Sequence, residues 1–101
     1  MAVHVDDARI PFRGRLMCHM VADSLPELHA MAERIGVPRR AFQPLSFPHY
    51  DLDQPRREAA LAAGARPIGR RELALLMRRL RADPAFMAAA RAAREEHDLR
   101  R

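Results

Sequence analysis

The chain reads as an α/β protein, with a short, mostly parallel sheet, flanking helices in a small Rossmann-like layered fold, and a helical extension at the C-terminus. Two observations predict it. Short apolar segments alternate with helical ones along the 101 residues, and alternation of this kind implies parallel strands joined by helical crossovers. Each helical stretch also carries its own start and stop residues.

Val3-His4-Val5-Asp6 is the first strand, and it runs directly into a second acid, Asp7. Residues 8–15 read as a loop punctuated by Pro11 and Gly14 and lined by Arg9, Arg13 and Arg15. Leu16 to Val21 is an apolar run suited to a buried strand. Ser24 and Glu27 form a capping box for the first helix, which Pro26 tolerates in its first turn. Leu25, Leu28, Ala32 and Ile35 share one face of that helix, and Gly36 ends it. After a loop from Pro44 to Pro48, His49-Tyr50-Asp51-Leu52 reads as a short strand. Asp53 caps a helix that runs to about Ala63 and stops at Gly64. Ala65 to Ile68 is one more strand, with Pro67 favouring an edge or a strand start. Arg70 to Arg81 is the clearest helix, because Leu73, Leu76, Met77 and Leu80 give the i, i+3, i+4, i+7 stripe. Asp83-Pro84 starts a final alanine-rich helix with Phe86, Ala90 and Ala93 on one face. The expected division is an α/β domain over 1–82 and a helical tail over 83–101.

Composition narrows the function classes. At 49% hydrophobic and 31% charged the chain is globular rather than disordered. No apolar run approaches the ~20 residues that span a bilayer. Cys18 is the only cysteine, so no intrachain disulfide forms, and a cytoplasmic location is the expectation. All 18 basic residues are arginine and the net charge is +5. The charge is uneven: residues 1–55 hold six Arg against seven acids, and residues 56–101 hold twelve against six. A basic half of this kind attracts phosphates or acidic partners, although arginines also serve simply to solvate helix faces.

The candidate chemistry lies at strand ends, where ligands of α/β sheets usually bind. Two His-x-Asp pairs, His4-Val5-Asp6 and His49-Tyr50-Asp51, place imidazole and carboxylate at i and i+2 of a strand, on the same side. If the strands are neighbours, Asp6, Asp7, His49 and Asp51 converge as ligands for Mg²⁺, Mn²⁺ or Zn²⁺. His19 has two readings, a satisfied core histidine or a site residue. Its neighbour Cys18 points to the opposite face, so the two are not a dyad. The expected catalytic set is Asp6, Asp7, His19, His49 and Asp51. Arg9, Arg13 and Arg15 from the loop, and Arg56 and Arg57 in the first turn of a helix, are the expected phosphate contacts. On the third helix Leu75 sits between Arg71 and Arg78, away from the stripe, and marks a contact with the last helix or with a partner.

One stretch, Tyr50-Asp51-Leu52 with Arg56-Arg57, Ala60 and Gly64-Ala65, is similar to the ribose-binding unit of Rossmann folds, but no G-x-G-x-x-G precedes it. A longer pattern is more specific: Val5-Asp6-Asp7-Ala8-Arg9-Ile10-Pro11, Arg13-Gly14-Arg15, Cys18-His19, Ala22-Asp23-Ser24-Leu25, Glu27-Leu28-His29 and His49-Tyr50-Asp51-Leu52. It resembles a small family of bacterial and phage proteins known only as a domain of unknown function. The resemblance covers roughly residues 2–80 and implies no activity. Members often carry Trp where this chain has Met17, and another near Ala41.

Three functions fit these residues. The first is a phosphate- or nucleic-acid-directed protein with a divalent-metal-assisted phosphodiesterase site. The second is a non-catalytic module that binds a nucleotide or nucleic acid through arginines. The third is an interaction or regulatory domain that acts through its last two helices, by forming a homo-oligomer or capturing a partner. None of the three involves a membrane.

Overall fold

The computed structural model describes residues 2–100. Five strands, β1 (Val3–Asp6), β2 (Ile10–Phe12), β3 (Arg15–Ala22), β4 (Tyr50–Leu52) and β5 (Arg66–Ile68), form one sheet. Four α-helices accompany it: α1 (Leu25–Arg34), α2 (Gln54–Ala62), α3 (Arg70–Arg81) and α4 (Pro84–Leu99). The α/β class is as expected, but the sheet is not mostly parallel. The long β3 pairs antiparallel with β1, β2 and β4, and only β1 and β5 are parallel.

The reason lies in the segment expected to be a loop. Residues 10–12 form a strand, and Arg13 (φ 50°) and Gly14 (φ 79°) turn it straight back into β3. Two consecutive positive φ values are the type I′ turn that matches strand twist, and glycine takes the second at no cost. Parallel neighbours need a crossover of a dozen or more residues, and none separates β1 from β3.

The register sorts side chains onto two faces. Val5 lies opposite Met20, Met20 opposite Tyr50, and Cys18 opposite Leu52. These five are wholly buried, together with Leu28 and Ala32 of α1 and Ala60 of α2. Truncating a side chain placed as Leu28 is costs about 2–5 kcal/mol. The other face carries His4, Asp6, His19, Val21 and Asp51, since His4 pairs with Val21 and His19 with Asp51. Here α3 sets Leu73 and Met77 across a recess from His19 and Val21.

Helix starts follow the capping rules. Ser24 accepts from the N–H of Glu27, Asp53 from that of Arg56, and Asp83 from those of Ala85 and Phe86. The segment expected to be a tail packs on its own chain. Phe86 and Ala90 of α4 are buried, and the Phe86 ring stacks on Phe47 at 5.5 Å. Leu75 is 60% exposed, so α4 does not cover it.

Candidate metal centre

His19 and Asp51 meet because β3 and β4 pair in that register. His49 joins them through the isolated bridge that precedes β4, in which Gln43 and His49 exchange backbone hydrogen bonds of 2.9 and 3.2 Å. One ligand atom from each of His19, His49 and Asp51 lies within 4.8 Å of the other two. Bonds of about 2.1 Å to a cation set tetrahedral ligands about 3.4 Å apart, so the three must draw inward to share one, and the fourth position stays open.

Each of the three side chains is held from behind. The Nδ1–H of His19 donates to Oδ2 of Asp6 at 2.6 Å. Nδ1 of His49 lies 2.7 Å from the carbonyl oxygen of Phe47, which only accepts, so that nitrogen carries the proton. The Nε2–H₂ group of Gln43 donates to Oδ2 of Asp51 at 2.6 Å. With those atoms engaged, Nε2 of each imidazole and Oδ1 of Asp51 are the atoms left for a cation. His49 Nε2 stands 3.3 Å from that Oδ1, an acceptor facing an acceptor. A contact of this kind calls for a positive charge between the atoms, supplied by an additional proton or by a cation.

Asp6 is the buried anchor. Only 5% of it is exposed, and besides the His19 ring it accepts the backbone N–H groups of His19 (2.7 Å) and Ala8 (3.4 Å). Without such donors a buried carboxylate costs several kcal/mol. Carboxylate–histidine pairs behind a ligand fix its tautomer and raise its basicity. Side-chain exposures of 34% for His19 and 37% for Asp51 leave a cation in this position reachable by water or substrate.

The recess beside the cluster has a volume of about 260 Å³. Val21, Phe47, Leu73 and Met77 supply apolar walls, and Arg81 closes one side with its guanidinium 5.4 Å from the Phe47 ring centre. The sequence reading overlooked Gln43, Phe47 and Arg81. For Arg81 a signal existed: with Leu73 and Met77 it continues an i, i+4, i+8 row along α3.

The other expected site residues lie as follows. Asp7 follows Asp6 but is exposed and outside the group of three. His4 does not share its imidazole with Asp6. Its Nε2 lies 3.1 Å from Oδ1 of Asp23, whose other oxygen accepts the N–H of Ala2. Arg57 uses its Nε–H to hold the backbone carbonyl of Asp6 at 2.9 Å. Arg15 and Arg56 share Asp53, at 3.4 and 3.8 Å. Arg13 lies over the Phe12 ring at 5.2 Å, and Arg9 is exposed. Cys18 is buried on the opposite face, and its thiol is pushed up to about 11, by burial first and then by the charge of Asp6. It is neither ligand nor nucleophile here.

A family model described as a protein of unknown function, DUF4031, matches residues 3–81. The chain belongs to the DUF4031 family. The match takes in β1 through α3, and with them every residue of the cluster and its supports. It ends at Arg81, just before α4. No curated protein and no solved structure shows significant similarity to this DUF4031 chain. Among its described residues no helix is long and apolar enough to cross a membrane.

Proposed function

We propose that this protein is a divalent-metal-dependent phosphodiesterase whose cation sits between His19, His49 and Asp51. The observation that carries the reading is the outer shell. All three candidate ligands are backed by a partner (Asp6, the Phe47 carbonyl and Gln43) that engages one polar atom and leaves the other for a cation.

Two imidazoles and a carboxylate suit Zn²⁺ or Mn²⁺ better than Mg²⁺, which prefers an oxygen shell. The same donor set also serves ferrous oxygenases. The basic surroundings, with Arg81 on the wall of the recess, favour an anionic ester as substrate. A cation bound there supplies Lewis acidity and a lowered pKa for water. In the reaction the oxygen of water bonds to phosphorus, the phosphorus–oxygen bond to the leaving group breaks, and the proton from water ends on the departing oxygen. Asp6 keeps His19 in the tautomer that presents Nε2, and Arg81 offers a charge to the phosphoryl oxygens.

The test is hydrolysis of bis(p-nitrophenyl) phosphate by protein stripped of metal and reloaded with Mn²⁺ or Zn²⁺. The reading predicts turnover that returns with the metal and falls at least ~100-fold in His49→Ala and Asp51→Ala. Turnover unaffected by chelation, or equal in the variants, contradicts it.

A further inference from the structure

The β2–β3 hairpin is built for an external ligand rather than for this chain's core. All three residues of β2 are exposed, with Ile10 at 50% and Phe12 at 55%, and β2 pairs with nothing except β3. Its turn is the rigid two-residue type described above, so the arm is preorganised. The register fixes which way it faces. Phe12 lies opposite Arg15 and Ile10 opposite Met17, and residues 15, 17 and 19 of β3 alternate onto one face. That face is the one holding His19 and Asp51. The row of Phe12 and Arg15 therefore stands about 13 Å along β3 from the cluster, with Ile10 and Met17 between them.

The charge on and beside the hairpin is unbalanced. Among the described residues no ion pair engages Arg9 or Arg13, while Arg15 and Arg56 divide the single carboxylate of Asp53. Arg13 covers Phe12 at 5.2 Å, a cation–aromatic pair open to solvent. A half-exposed ring flanked by guanidinium groups is the unit that stacks an unpaired base and neutralises its phosphate. A duplex hides its base faces, so it cannot use the ring. A second copy of this chain would set the arginines against themselves.

We infer that the hairpin is the binding arm for a single-stranded nucleic acid, with a base stacked on Phe12, phosphates on Arg9 and Arg13, and the strand running along β3 toward the cluster. This rests on the phosphodiesterase reading, for which it names the substrate class.

The experiment is fluorescence anisotropy of a short fluorescein-labelled oligothymidylate in EDTA, so that no cleavage occurs. Expected are binding that weakens steeply with salt, a loss of roughly tenfold or more in Phe12→Ala and in Arg13→Gly, and weaker binding of the corresponding duplex. Arg13→Gly suits the positive φ of that position, and Arg91→Ala on α4 is the control that keeps wild-type affinity. Three outcomes overturn the inference: no binding by the wild type, equal affinity in the hairpin variants and the control, or a dimer that Phe12→Ala dissociates. The metal content of the wild type is measured in parallel. Full occupancy without oligonucleotide binding removes the nucleic-acid arm alone, whereas an empty site removes the catalytic reading beneath it.

Discussion

At Asp6 one side chain decides what another can do. As a carboxylate it accepts from Nδ1 of His19 and leaves Nε2 bare for a cation. Asparagine in the same place can turn its amide N–H toward Nδ1, which moves the ring proton to Nε2 and blocks ligation. Asp6→Asn is therefore predicted to lower metal affinity about 10–100-fold, read by competition with a chromogenic chelator. A loss that Asp6→Asn shares with a surface variant such as Arg91→Ala contradicts this role. Cys18 illustrates the reverse case, a reactive group silenced by its place. With the thiol pushed up to about 11 and fully buried, it is predicted to resist Ellman's reagent at mildly alkaline pH until denaturant is added. Its opposition to His19 was legible from strand alternation alone. The two adjacent acids, expected to converge in one site, part instead: Asp6 ends β1 buried, and Asp7, just past the strand, is exposed.

Between elements, the tie from α1 to β4 is the titratable one. The buried Tyr50 hydroxyl shares a hydrogen bond of 2.9 Å with Nδ1 of His29, and the Phe42 ring packs edge-on to His29 at 4.6 Å. Burial first, and then the charge of Arg39, hold His29 below the ordinary 6.5, with Glu96 acting weakly the other way. The unfolded chain therefore binds this proton more readily than the folded one. The stability it contributes is complete above the ordinary value and is lost as pH falls through the lowered one. The urea midpoint is predicted to drop between about pH 7 and pH 5, and to drop less in His29→Gln. Equal slopes in the two proteins contradict the assignment. Helices were the readable elements, since Ser24, Asp53 and Asp83 announce their starts and the α3 stripe its buried side. The hairpin was not, because Pro11 and Gly14 signal a turn region without saying that the flanking residues pair. Reading that segment as a loop left β1 and β3 free to be drawn parallel, and the expectation of a mostly parallel sheet followed from it.

Across the whole molecule, the candidate site gathers along β3, which pairs antiparallel with three other strands. It carries His19, lies beside Asp6 on one side and Asp51 on the other, and extends into the exposed hairpin. Part of the centre was legible, since His49-Tyr50-Asp51 has the spacing of a ligand pair and its first and last residues do converge. The rest depends on contacts between residues far apart in the chain. Gln43 reaches Asp51 through a bridge formed outside any strand, and Asp6 reaches His19 across a pairing that no local pattern announces. On the proposed reading, the uneven charge of the chain acts at this scale too, as a field favourable to an anionic substrate.

The central claim is a cation held by His19, His49 and Asp51. X-ray absorption at the zinc edge, on protein dialysed against Zn²⁺ and freed of excess, tests it most directly. The prediction is one zinc per chain in a shell of nitrogen and oxygen only, with the multiple scattering of two imidazoles, reduced to one imidazole or emptied in His19→Ala. Failure to retain zinc, a sulfur ligand, or a shell unchanged in His19→Ala contradicts it.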